Sequence, residues 1–306
     1  MTGDGVGGRD VLLTGPGRSG TTLVCHLLNR LPQTVALNEP LAPGRVMRDD
    51  PVASIAEFVA MQRRRILETG TAVTRGVEGS VTSDPVAARR SGLARVVSLI
   101  PGRFAARRLG RFATREVIAE RGPMQIEKDL SPSFTLVVKQ PGSLTALLGD
   151  LVGRFPCFAI VRNPLAILAS WNSVDFRADG RAPIPERLDP DLKQRLDACR
   201  DRFDRQVALL DWGFRRYEEH LQPGHLLTYE DLVATGGRCL QVITPEAAAL
   251  EGALESRNRN KAYDRRLVPM LAERLLATDG AFWGVYTRSE VEALAAEQAD
   301  ASRGDR

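Results

Sequence analysis

The stretch VLLTGPGRSGTTLVCHLL (11–28) limits the possible folds of this chain more than any other. Residues 10–15 read as a short buried strand. A loop bounded by Gly15 and Gly20 follows, and an apolar helical pattern then runs from Thr21 to about Leu31, where Pro32 stops it. A strand that passes through a glycine loop into a helix is the opening unit of a parallel sheet. It predicts an α/β fold with helices flanking the sheet.

The remaining segments extend that reading. VALNEP (35–40) predicts a second strand, and TLVVKQP (135–141) and CFAIVRNP (157–164) two more, each an apolar run ending in a charged residue and a proline. PLAILASWNSV predicts a helix starting at Pro164, a favoured first-turn position. RADGRAPIPERLDP (177–190) reads as a turn-rich loop. One long amphipathic helix is expected over 191–221, with Leu192, Leu196, Phe203, Val207, Leu210 and Phe214 on one face. HLLTYEDLV (225–233) predicts a strand running into a turn. Between the second and third strands, residues 44–130 carry helical patches such as IAEFVAMQRRRIL and ARRLGRFATREVIAERG, and predict a mostly helical insertion or cap. The chain reads as one domain over 1–306, with a flexible charged C-terminal tail.

Composition narrows the function classes. The 42 basic residues nearly balance 38 acidic ones, which argues against a nucleic-acid binder. Only residues 128, 139, 193 and 261 are lysine, and the excess of arginine suggests a GC-rich bacterial genome. Four scattered cysteines and three histidines without ligand spacing predict neither a metal site nor a disulfide framework. The N-terminus is polar and no apolar run approaches the roughly 20 residues of a membrane span, so a cytoplasmic protein with no membrane partner is expected.

The glycine loop has the spacing of a Walker A loop, but Thr21 stands where that motif requires lysine. Its other means of holding an anion remain. Gly17 and Gly20 permit turns that converge backbone N–H groups on one point. The helix N-terminus adds partial positive charge, and Thr21 and Thr22 add hydroxyls. The cation has moved into the loop, at Arg18. That suits a single 5′-phosphate carrying a transferable group better than a magnesium triphosphate. A second constellation lies at 158–173, where Arg162 leaves a strand end and Ser170 follows eight residues later. The pair can grip one phosphate from two sides.

PGRSGTTL resembles the 5′-phosphosulfate loop of sulfotransferases that use 3′-phosphoadenosine-5′-phosphosulfate, in the style of their tyrosylprotein and bacterial small-molecule branches. The resemblance implies a P-loop-like parallel sheet and sulfuryl transfer to a hydroxyl or amine of an acceptor, here expected to be a small molecule. The 3′,5′-bisphosphate would be the product, and no metal would be required. It assigns Gly17, Arg18, Ser19, Gly20, Thr21 and Thr22 to the 5′-phosphate, and Arg162 and Ser170 to the 3′-phosphate. YEDL (229–232) resembles the family's segment whose tyrosine lies near the adenine, which assigns Tyr229 to the base. VVKQP resembles its strand-end lysine, so Lys139 would face the sulfuryl group and, with Arg18, stabilise the leaving phosphate. Glu39 lies 21 residues after Arg18, as the catalytic glutamate does in the tyrosylprotein branch, and becomes the expected general base. Lys261 is a further candidate for a cofactor phosphate. A P-loop kinase is the competing enzyme reading and lacks its lysine and its strand-end aspartate. A non-catalytic nucleotide-binding protein is the competing binding reading.

Overall fold

The computed structural model describes residues 9–75, 80–82, 121–173, 179–260 and 262–300. Strand β1 (Asp10–Thr14) leads through the glycine loop into helix α1 (Thr21–Leu28), and β2 (Thr34–Asn38) follows. Later in the chain come β6 (Thr135–Lys139), β7 (Cys157–Val161) and β8 (Leu226–Thr228). These five strands form one sheet in the order β2-β6-β1-β7-β8, and every pairing is parallel. Strands buried on both faces need continuous apolar runs, and β7 (CFAIV) is buried at all five positions. One core cluster lies on each side of the sheet. Leu12, Leu136, Val138 and Ala159 face one, and Val11, Leu13, Val137 and Ile160 face the other.

The chain is α/β, as expected. β1 is central, with later strands laid on both its sides, so the loop after it opens into the crevice where such sheets bind ligands. Two departures from the sequence reading have clear causes. The single helix expected over 191–221 is two helices, Pro190–Asp197 and Arg202–His220. Asp201 ends the continuity because its carboxylate accepts the N–H groups of Phe203 and Asp204, capping a new helix. The expected apolar face survives the break, with Leu192, Leu196, Val207, Leu210 and Phe214 buried.

The second departure concerns 44–130. The patch IAEFVAMQRRRIL lies within the helix Pro51–Thr69. Beside it stands a three-stranded sheet of β3 (Thr71–Arg75), β4 (Ser80–Thr82) and β5 (Arg121–Glu127), in the order β3-β5-β4. The patch ARRLGRFATREVIAERG falls outside the described residues except for its last two, Arg121 and Gly122, which open β5 rather than end a helix. β3 alternates buried and half-buried positions, so it packs one face only, a period-2 signal too short to read beside arginine-rich sequence. No described helix is long and apolar enough to cross a membrane.

Candidate active site

The loop between β1 and α1 is built from unusual backbone. Gly15 has φ 146° and a Cβ there would lie 2.2 Å from the Ile160 carbonyl oxygen, so glycine is required. Gly20 has φ 89° and its missing Cβ leaves room for the ring of Tyr229, 2.7 Å from where that carbon would sit. Among the described residues only two non-glycine positions have positive φ: Arg18 at 76° and Glu39 at 48°. A left-handed L-residue costs about 1–2 kcal/mol. Residues held this way concentrate at functional sites, and both are ones the sequence reading had singled out.

Arg18, Arg162 and Ser170 come together. The Arg18 Nε donates to the Ser170 hydroxyl at 3.0 Å, and Arg162 donates through Nη1 to the Arg18 carbonyl at 3.1 Å. Arg162 also reaches Asn258 Oδ1 (2.6 Å) and the Tyr263 hydroxyl (3.1 Å), and its guanidinium carbon lies 4.6 Å from the centre of the Tyr229 ring. No described carboxylate pairs with Arg18 or Arg162. Arg18 is solvent-exposed as a residue, but its guanidinium is packed. Burial lowers its pKa, Tyr263 opposes that, and the neighbouring charge of Arg162 adds to it. The Ser19 hydroxyl is fully buried in the loop and has no hydrogen-bond partner among the described residues. Two cations without a described acid, beside an unsatisfied hydroxyl at a helix N-terminus, are an arrangement able to hold an anion.

The other half of the site stands at the ends of β2 and β6. Lys139 is 1% exposed, and its ammonium donates to Glu39 Oε1 (2.8 Å) and Asn38 Oδ1 (2.9 Å), with Thr22 Oγ1 at 3.5 Å. The second carboxylate oxygen of Glu39 accepts from Arg75 Nη1 at 2.8 Å. Burial pulls the Glu39 carboxyl upward, but Lys139 and Arg75 together outweigh it and hold the group below the usual carboxylate range. Glu39 is therefore ionised at neutral pH and able to accept a proton.

A cavity of about 40 Å³ adjoins the loop. Gly15, Pro16 and Gly17 form one wall, Pro141 and Gly142 a second, and Trp171, Leu209, Trp212 and Tyr217 stand among the rest of the lining. Among the described residues, no charged side chain lines it. The polar side chains of its walls are already partnered: Trp171 Nε1 donates to the Gly17 carbonyl, Trp212 Nε1 to Asp189, and the hydroxyls of Thr145 and Tyr217 bond in series with that of Thr14.

The remaining candidates divide. Thr21 is buried at the start of α1, and Tyr229 opens the helix after β8 with its hydroxyl accepting from Arg257 N. Lys261 lies outside the described residues. No group of three or more His, Cys, Asp or Glu that could hold a metal stands among the described residues. His225 stacks on Phe158 and bonds the Cys157 carbonyl, occupied away from the loop. The sequence reading missed Asn258 and Tyr263, which hold Arg162, and Arg75 and Arg121, which hold Glu39. The polar run SRNRNKAY (256–263) was the only signal for the first pair, and nothing local marked the second.

No protein-family model matches the chain, and no curated protein matches it. Among the solved structures similar to it are the following three. The sulfotransferase domain of the olefin synthase of Synechococcus PCC 7002 aligns at TM-score 0.36 and 14% identity, over 98% of each chain. A sulfotransferase of Mycobacterium tuberculosis H37Rv aligns at TM-score 0.35 and 14% identity, over 89% of this chain and 77% of that one. The sulfotransferase domain from the curacin biosynthetic pathway aligns at TM-score 0.37 and 13% identity, over 84% of this chain and 78% of that one.

Proposed function

We propose that this chain is a sulfotransferase that moves the sulfuryl group of 3′-phosphoadenosine-5′-phosphosulfate to a hydroxyl, or an amine, of a small acceptor. The observation that carries the reading is the convergence of Arg18, Arg162, Ser170 and the unpartnered Ser19 hydroxyl on the N-terminus of α1, with no carboxylate among the described residues to neutralise the two guanidiniums. A nucleotide with phosphates at both 5′ and 3′ positions matches two adjacent anion sites. The threonine after Gly20 and the arginine ending β7 disfavour a triphosphate with magnesium, the kinase alternative.

In this reading the loop N–H groups, Ser19, Thr21 and Thr22 bind the 5′-phosphate. Arg162 and Ser170 bind the 3′-phosphate, and Tyr229 contacts the base. Lys261 is a further candidate for a phosphate contact. The donor supplies the activated sulfuryl group, and no metal is needed. Glu39 takes the acceptor proton as the acceptor oxygen bonds sulfur and the sulfur–oxygen bond to the 5′-phosphate breaks, its electron pair staying on the phosphate. Arg18 and Lys139 stabilise the charge gathering there. The enzyme is read as a single-domain, cytoplasmic, bacterial protein.

The test is thermal stability with the 3′,5′-bisphosphate, ADP, and ATP with magnesium. A ligand that binds only the folded state stabilises it by about 2.7 kcal/mol at a hundred times its dissociation constant. A shift with the bisphosphate alone, lost in Arg162→Ala, supports the reading. A shift only with ATP and magnesium sinks it in favour of a kinase. A bisphosphate shift without sulfation of any acceptor points to a non-catalytic nucleotide-binding protein.

A further inference from the structure

Glu39 is held from a second side, by the small sheet. Resting on the assignment of Glu39 as the base, we propose that β3 and β5 are a positioning device for it: Arg75 orients its carboxylate, and Arg121 with Thr74 locks its backbone.

Arg75 and Arg121 are register partners on the antiparallel pair β3–β5. Like charges directly opposite each other destabilise a sheet, so the pairing needs a compensating partner. Glu39 supplies it. Its Oε2 accepts from Arg75 at 2.8 Å, its carbonyl accepts from Arg121 Nε at 3.1 Å, and Arg121 Nη2 reaches the Leu41 carbonyl at 2.8 Å. The residue before it is clamped by the same strand. The Asn38 N–H donates to Thr74 Oγ1 (2.9 Å), that hydroxyl donates back to the Asn38 carbonyl (3.2 Å), and Asn38 Nδ2 donates to the Arg75 carbonyl (2.9 Å). On the far side, the Glu39 N–H donates to the Lys139 carbonyl at 2.7 Å. These bonds hold Glu39 at φ 48°, which it would leave in a free loop.

The carboxylate is oriented as a consequence. Lys139 holds Oε1 and Arg75 holds Oε2, one cation each. A carboxylate has about four lone-pair sites, so each oxygen keeps one for an incoming hydroxyl while the group cannot rotate. Among the described residues, four titratable or charged groups act on it: Lys139 from β6, Arg75 from β3, Arg121 from β5 and Cys25 from α1. Burial pushes the Cys25 thiol up to about 12, so it stays neutral and leaves the three cations to set the carboxylate.

The experiment compares the wild type with Arg75→Met, Arg75→Lys and Arg121→Met. It reads the pH profile of kcat/KM, the affinity for the 3′,5′-bisphosphate, and the Glu39 carboxylate titration by difference infrared spectroscopy against Glu39→Gln. Removing an opposite charge in contact shifts a carboxyl by about 1–3 pH units, so Arg75→Met moves the acid limb and the infrared titration upward by that amount. It lowers kcat roughly tenfold through lost orientation, with bisphosphate affinity within about twofold of wild type. Arg75→Lys restores the titration. Arg121→Met lowers kcat at unchanged bisphosphate affinity. An unmoved acid limb and titration in folded Arg75→Met overturn the proposal, as does a parallel loss of activity and bisphosphate affinity. If Arg75→Met does not fold, unchanged kcat in Arg121→Met overturns it. A wild type without turnover on any acceptor refutes the sulfotransferase reading, and the infrared titration still decides the role of Arg75.

Discussion

The two halves of the site handle charge in opposite ways. At the β1–α1 loop, Arg18 and Arg162 stand together without a described acid, beside a buried hydroxyl that bonds nothing. At the ends of β2 and β6, Glu39 sits between Lys139 and Arg75, each within 2.8 Å. The first half carries charge that the proposed anionic cofactor would balance. The second is complete and poised, with a carboxylate whose basicity and direction are fixed before a substrate arrives. In the proposed reaction binding and proton transfer would therefore fall on different parts of the site, and mutations should separate them.

The largest expected effect is on chemistry. Glu39→Gln keeps the shape but removes the base, and should lower kcat by about 10²–10⁴-fold with bisphosphate binding intact. A variant with full turnover would remove Glu39 from the mechanism and leave the balanced half a purely structural ion pair. Next comes the cationic half. Arg162→Ala should weaken the 3′,5′-bisphosphate by about 2–5 kcal/mol in calorimetry, and lysine should not rescue it because the planar fork is lost. Equal affinity in wild type and variant would break the contrast between the halves.

A smaller effect tests the scaffold beneath both. Gly15→Ala forces a Cβ to 2.2 Å from the Ile160 carbonyl at φ 146°, and should cost about 1–3 kcal/mol in chemical denaturation. An unchanged midpoint would mean that the loop relaxes freely and its geometry is not built in.

A separate effect, read in stability against pH, concerns a buried cation that belongs to neither half. The Lys128 ammonium donates to the Leu31 and Thr34 carbonyls, and burial, only partly opposed by Glu246, lowers its pKa to about 7. The unfolded chain keeps an ordinary lysine near 10.4. Between those values the unfolded state binds more protons than the folded one. Stability should therefore rise with pH from about 7 to about 10.4, by at most about 1.4 kcal/mol per unit, and be lowest below 7. Lys128→Met should flatten that slope. A slope that survives the substitution would assign it to another group.

The parts of this site that were legible share a property: each is encoded in a few adjacent residues. The apolar run before Gly15, the two loop glycines, the arginine at a strand end with serine eight residues on, and the acid after the second strand are local patterns of burial and turn chemistry. They placed Arg18, Arg162, Ser170, Glu39 and Lys139, and the structure brings these residues to the C-terminal edge of one sheet. Asn258 and Tyr263 lie 96 and 101 residues from the arginine they hold, and Arg121 lies 82 from Glu39. Beyond the polar run around the first two, nothing in their own surroundings marks them, because their meaning is a distance in space. Likewise the break at Asp201 came from a capping bond, which competes with a helical pattern that continues through it. The sequence by itself determined which residues could bind an anion or accept a proton. Only the tertiary structure decided which charges are left unpaired and which are balanced, since that follows from the partners that chain packing brings within hydrogen-bonding reach.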